Sequence, residues 1–213
     1  MQDPAGIAPM TPQSTSIKIA AQLRERIVDG YFAPGQQINE THVSTQLNLS
    51  RGPLREALQR LSQEGLLVSK PNRGVFVVEL TPEDVVEIYG VREILELGAA
   101  ELIIARPAPQ RRRVADKLLS IASKLSDAAE KGDWARVRRL DLEFHTNLVA
   151  APGNSRLLRA YATLATESMI CMTNLQQAYP TPHSVTHHAV MADLIAVGAM
   201  DELRAAFHRH LTV

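Results

Sequence analysis

The stretch whose reading decides the fold is INETHVSTQLNLSRGPLREALQRLSQEGLLVSKPNRGVFVVEL, residues 38–80. Asn39 has the side chain of a helix N-cap, and Val43 and Leu47 behind it give a short helix one apolar face. Asn48-Leu49 reads as a tight turn. Ser50 is placed to cap a second helix, on which Leu54, Leu58 and Leu61 share a face. Pro53 is tolerated there because the first-turn N–H groups of a helix have no partner to lose, and Gly65 ends the helix. Leu66–Ser69 and Val75–Leu80 are β-rich, with Pro71-Asn72-Arg73-Gly74 as the turn between them. Upstream, Ile17–Val28 repeats apolar residues at helical spacing until Gly30–Gly35 breaks it.

Three helices and a hairpin are the parts of a winged helix-turn-helix, expected over residues 16–79, after a disordered lead-in at 1–15. In that arrangement the helix after the turn enters the major groove of double-stranded DNA, and its N-terminal residues reach base edges. Those residues are Ser50, Arg51, Gly52 and Arg55. Arginine can donate two hydrogen bonds to guanine O6 and N7, and Gly52 at a helix start lets a phosphate approach backbone N–H groups. Arg73 and Gly74, at the hairpin tip, suit a wing touching phosphate or the minor groove. Local charge agrees: Arg51–Arg73 holds five basic residues and two acidic ones, although the whole chain of 213 residues has a formal net charge of +0. On charge alone, a solvated helix face would explain Arg51 and Arg55; the order of elements favours DNA.

Composition limits the alternatives. Hydrophobic residues at 45% and charged residues at 22% make a globular mix. No apolar run reaches the ~18 residues of a membrane span. Residues 1–15 lack the basic start and apolar core of a secretory signal, so a cytoplasmic protein with no membrane partner is expected. One cysteine, Cys171, excludes an internal disulfide and cysteine-based zinc motifs. Aromatics at 4% argue against a base-stacking platform for single strands.

From residue 80 to 213 the sequence carries helix signals only, which makes the chain mainly α: an N-terminal winged helix-turn-helix followed by an antiparallel all-α bundle. Six helices are expected, at about 81–105, 110–130, 133–152, 154–179, 183–197 and 200–212, with Thr81, Asp133 and Asn154 as caps. Asp141 and His145 stand at i and i+4, on one face, beside the stripe Val137, Leu140, Phe144, Leu148. His188 lies with Met191, Ala192 and Ile195, and His210 with Leu203, Ala206 and Phe207. Burying one such polar group unpaired costs roughly 1–3 kcal/mol. Four of them have an economical common reason in a divalent cation held by one carboxylate and three imidazoles. The alternative for each is a hydrogen-bonded core residue.

The segment APGQQINETHVSTQLNLSRGPLREALQRLSQEGLL followed by PNRGVFV resembles the DNA-binding domain of GntR-type bacterial transcription regulators, through its SR-x-P-x-REAL core and its NRG-x-x-V wing. The resemblance implies DNA contacts at Ser50, Arg51, Gly52, Arg55, Arg73 and Gly74. Thr41 stands where the family often has a basic residue, and Asn48 where it has a turn glycine; Asn tolerates the left-handed conformation. D-x-x-F-H-x-x-L-x-x-A-x-x-N (141–154), H-x-x-V-M-x-x-L-x-x-G (188–198) and a closing H-L (210–211) resemble the FCD domain of the FadR subfamily, in its six-helix VanR-like branch. That resemblance implies a metal on Asp141, His145, His188 and His210: zinc first, with nickel, iron or manganese also suited. It further implies a small organic-acid effector near the metal and a homodimer on a palindromic operator. His187, beside His188, should point elsewhere, although the register between the two is ambiguous. His42, His183 and His208 are expected at the surface or in packing. Arg92 is a candidate anion clamp for a carboxylate effector or, equally, the i,i+4 salt-bridge partner of Glu96; Asn174 is a weaker pocket candidate. The function expected is an effector-controlled DNA-binding regulator, a repressor in the first instance. A metal-dependent hydrolase is the competing class, but no general base or nucleophile motif accompanies the constellation, and it leaves residues 16–79 without a use. A regulator with a purely structural metal is the third reading.

Overall fold

The computed structural model describes residues 15–175 and 182–212, with the side chains of 173–175 and 182–184 left aside. The described elements run α1 Thr15–Val28, α2 Glu40–Gln46, α3 Arg51–Gln63, β1 Leu67–Lys70, β2 Gly74–Val77, α4 Pro82–Ile104, α5 Ala108–Glu130, α6 Trp134–Ala150, α7 Ser155–Leu175, α8 Pro182–Val197 and α9 Met200–Leu211. This is a mainly α chain with a winged helix-turn-helix ahead of a helical bundle. α1 starts at Thr15, and the lead-in of residues 1–14 lies outside the described residues.

Local chemistry accounts for most boundaries. The Asn39 side chain accepts from the His42 N–H, Asp133 from Arg136, and Asn154 from Arg156 and Leu157. Thr81 and Asp84 form a reciprocal capping box at the start of α4. Ser50 stands at the N-cap position of α3, but its side chain makes no capping bond. Between α2 and α3 the chain turns through Asn48, at φ 50°.

The hairpin pairs Leu67 with Val77, Val68 with Phe76, Ser69 with Val75 and Lys70 with Gly74. It is shorter than the sequence suggests, since β2 ends at Val77 rather than at Leu80. A further edge that the sequence does not announce runs along β2. Ile38 N–H donates to the Val75 carbonyl, Val77 N–H to Gln36, and Gly35 N–H to Val77. The wing is therefore flanked on both sides of β2, once by β1 and once by residues 35–38.

Two main cores result. Ile19, Leu23, Ile27, Val43, Leu54, Leu58, Leu61, Leu66 and Val77 pack together in the N-terminal half, and Ile170 of α7 joins them. The bundle core comes from α4, α5, α6, α8 and α9, centred on Leu118, Leu125, Phe144, Met191, Ile195 and Phe207. α7 thus contributes to the core of the DNA-reading half as well as to the bundle. A left-handed backbone costs an ordinary L-residue roughly 1–2 kcal/mol. Asn48→Ala is expected to destabilise the full chain by about 1 kcal/mol in chemical denaturation, while Asn48→Gly leaves stability unchanged or raises it.

Candidate metal centre and DNA-reading face

In the bundle, α6 presents Asp141 and His145 one turn apart, α8 presents His188, and α9 presents His210. One ligand-type atom from each of the four lies within 4.8 Å of all the others. His188 Nε2 is 3.0 Å from Asp141 Oδ1, and His145 Nε2 is 3.1 Å from His210 Nε2 and 3.9 Å from Asp141 Oδ1. His145 and His188 are buried, whereas Asp141 and His210 keep partial exposure. The Phe144 ring stands edge-on to both His145 and His188 and forms an apolar floor.

The outer contacts decide which ring nitrogens face the centre. His145 Nδ1–H donates to Glu96 Oε2 at 2.6 Å, so the Nε2 lone pair of the neutral ring points inward. His188 Nδ1 lies 3.3 Å from the Val185 carbonyl, which selects the same tautomer. Inward Nε2 lone pairs beside a carboxylate oxygen bring acceptor against acceptor at about hydrogen-bond distance, an arrangement that a shared cation relieves. His210 fits too: burial, followed by the neighbouring His188 and His145 rings, holds its pKa well below the usual imidazole range, in the neutral form a metal requires. Asp141 is an ionised carboxylate. Burial pushes its pKa up, but contact with the His188 and His145 imidazoles and the charge of the Arg92 guanidinium outweigh that and hold it far below normal. The donor set of one carboxylate and three imidazoles fits a divalent transition metal.

Glu96 is the functional residue that the sequence reading missed. It is fully buried, and its two oxygens take three contacts: Arg92 Nε at 3.0 Å, the Tyr161 hydroxyl at 2.9 Å and His145 Nδ1 at 2.6 Å. Arg92 accordingly sits in the ion pair with Glu96, 2% exposed, with its guanidinium over the Tyr89 ring. Of its two sequence readings, the salt bridge is the contact observed. The Asn174 side chain lies outside the described residues, as does that of His183. His187 does not point away as expected; its ring lies 5.8 Å from that of His210, at the margin of the four. His208 is exposed beside Glu93, and His42 is exposed.

On the other half, Ser50, Arg51, Gly52 and Arg55 form one exposed face at the start of α3. Arg55 Nε meets Glu40 Oε2 at 3.0 Å, and Arg51 reaches the Thr41 hydroxyl at 3.4 Å. Both arginines are thereby braced against α2. A Cβ on Gly52 would meet no atom within 4 Å, so this spot is open to a close-approaching ligand. At the wing tip, the Arg73 guanidinium lies over Phe76, and its carbonyl accepts from Gln37 at 2.7 Å. Gly74 has a structural reason of its own: φ is 98°, and a Cβ would come within 2.9 Å of Gln37 Nε2.

Burial raises the Glu96 carboxyl, but its contacts with His145 and with the Arg92 guanidinium prevail and bring its pKa down to about 2, from 4.5. A carboxyl depressed in the folded state stabilises it above the unfolded pKa, and that contribution is lost as pH falls from about 4.5 toward 2. Glu96→Gln is therefore expected to cost roughly 3 kcal/mol in urea unfolding at pH 7 and to flatten the acid limb, with the two proteins converging near pH 2.

Residues 15–77 match the family described as bacterial regulatory proteins, gntR family, and residues 87–213 match the FCD domain. The chain is 31% identical over 186 residues to the Nta operon transcriptional regulator of Aminobacter aminovorans, covering 86% of this chain and 85% of that one. It is 30% identical over 146 residues to the gluconate operon transcriptional repressor of Bacillus subtilis, covering 68% of this chain and 58% of that protein's length. Among solved structures, a GntR transcriptional regulator from Rhodococcus sp. RHA1 superposes with a TM-score of 0.79 at 25% identity, over 93% of this chain and 94% of that one. These relatives are regulators and not enzymes, which removes the hydrolase reading. The chain belongs to the GntR family of bacterial regulatory proteins and is a DNA-binding transcription regulator with an FCD domain.

Proposed function

We propose that this regulator is a repressor whose operator affinity is set by a small carboxylate effector bound at a metal centre in the bundle. The observation that carries the reading is the convergence of Asp141, His145, His188 and His210, with one donor atom each inside 4.8 Å and His145 pinned from behind by Glu96. These four residues would hold the ion, zinc first and nickel, iron or manganese as further candidates. A metal held there would supply a Lewis-acidic point of attachment for a carboxylate. The partial exposure of Asp141 and His210 supports access from that side. In this reading Arg92 holds Glu96 instead of clamping the effector, because recruiting it would break a buried ion pair.

An effector changes DNA binding only through different affinities for two arrangements of the protein. α7 supplies a physical connection. Its Tyr161 donates to Glu96, behind the metal ligand His145, and its Ile170 is buried among the residues of the DNA-reading half. The two stand nine residues apart on one helix. Ser50, Arg51, Gly52 and Arg55 are assigned to the major groove, and Arg73 and Gly74 to phosphate or the minor groove. Repression is favoured by the likeness to the gluconate operon repressor. A single reading head covers one half-site, so we take the active species to be a homodimer on a palindromic operator, held together by the helical half and acting in the cytoplasm.

Two experiments test this. Arg51→Ala and Arg55→Ala should each weaken operator binding by roughly 1–3 kcal/mol and relax base preference, whereas Arg73→Ala should weaken all sequences evenly. Fluorescence anisotropy on specific and scrambled duplexes measures both, and unchanged operator affinity in the two α3 variants would refute the docking. Separately, His188→Ala and His210→Ala should lose bound metal in elemental analysis and lose the thermal shift with small carboxylates, yet still bind DNA. His187→Ala should retain metal. Metal loss on the His187 change, with full content in the His188 variant, would overturn the ligand assignment.

A further inference from the structure

A hollow of about 250 Å³ opens between α5 and the end of α6, and none of the four metal-site side chains or the DNA-reading residues lines it. Its floor is apolar, with Val114 and Leu118 from α5 facing Ala150 and Ala151 from α6. The two alanines leave space where larger side chains would close the gap between the helices. Arg113 and Lys117 form one wall, and Asn147 stands on the other. No acidic side chain lines the hollow among the described residues.

Arg113 and Lys117 stand at i and i+4, so two like charges share one face of α5 and repel each other. Neither has a hydrogen-bond or ion-pair partner among the described residues. Arg111, two residues earlier, is spent differently and donates to the Arg106 carbonyl at 3.1 Å. The end of α6 would ordinarily oppose an anion, because the free carbonyls of a helix gather there. Arg106 removes that obstacle by donating to the Ala151 carbonyl at 2.9 Å and the Pro152 carbonyl at 2.6 Å. Asn147 gives one amide N–H to the Glu143 carbonyl, at 2.7 Å, and retains a second.

Donors at the rim and hydrocarbon beneath suit a carboxylate with an apolar body. Its two oxygens can take paired bonds from the Arg113 guanidinium, with Lys117 as a neighbouring point charge. The volume is at the small end for ligand pockets and admits a body of about six or seven carbons.

We propose that this hollow binds a small monocarboxylate with a compact apolar body, such as an aromatic acid, through Arg113, Lys117 and the second amide N–H of Asn147. The site is separate from the metal centre and does not depend on a metal. Asn147 lies two residues beyond His145, about 200° around α6, so the two sites occupy opposite flanks of one helix. A ligand here joins α5 to α6, the helix that carries Asp141 and His145.

The test uses the full chain and 4-fluorobenzoate, followed by ¹⁹F NMR, before and after treatment with a chelator. Binding in the millimolar range is expected in both states, as suits so small a ligand. Arg113→Ala and Lys117→Ala should each weaken it by about tenfold. Ala150→Leu, which fills the hollow without touching a charge, should abolish it, and Arg159→Ala, an exposed cation elsewhere on the bundle, should leave it unchanged. In competition, acetate and inorganic phosphate should be at least about tenfold weaker than benzoate, for want of an apolar body. Phosphate that competes as well as benzoate would mark a bare anion patch and overturn the proposal. So would absence of binding. Binding lost on chelation but unchanged in the Arg113 and Lys117 variants would place the acid at the metal centre and overturn it too. Circular dichroism reports the folding of each variant, and the two cation variants decide alone if Ala150→Leu does not fold.

Discussion

A buried carboxylate organises the bundle. Glu96 has no access to water, and a lone charge there would be intolerable. It is kept by three donors from three helices: Arg92 on its own α4, His145 on α6 and Tyr161 on α7. Each bond fixes something further. The bond to His145 sets the tautomer of a ring aimed at Asp141 and His210. The bond from Tyr161 registers α7 against α4. The pair with Arg92 places a cation near the site, where it helps keep Asp141 ionised. His145 is thus oriented from behind by a group that faces away from the other three side chains, the arrangement that a metal-binding histidine generally requires.

Much of this was legible in the sequence, for identifiable reasons. Asn39, Thr81, Asp133 and Asn154 cap the helices they precede because their short acceptors reach the first free N–H groups. Asp141, His145, His188 and His210 were found because each lies beside an apolar stripe on a strongly periodic helix. Their separation in the chain, from 141 to 210, is closed by packing of α6, α8 and α9 around Phe144 and Phe207.

What escaped the reading is equally physical. Glu96 stands at i+4 from Arg92, and that spacing is ordinary on an exposed helix face. Only a known inward direction would have marked it, and α4 gives none, being apolar both toward the core and away from it. The edge at residues 35–38 joins β2 through its backbone, and Gly-Gln-Gln offers no side-chain alternation to announce it. Ser50 has the residue type of a cap and the position of one, yet bonds nothing as a cap. His187 was expected to diverge from its neighbour by the ~100° step of a helix, but ring size lets it reach the His210 ring from the side.

The placement of Ile170 has a bearing on how the molecule comes apart. A residue of α7 completes the apolar cluster built by α1, α3 and the wing, while the same helix carries Tyr161 into the bundle. Neither half can lose its packing without exposing surface in the other. The chain should then melt in one cooperative step and not as two independent bodies. A winged segment cut off before α4 would leave a hole where Ile170 sits, and its own threshold of stability would be correspondingly lower.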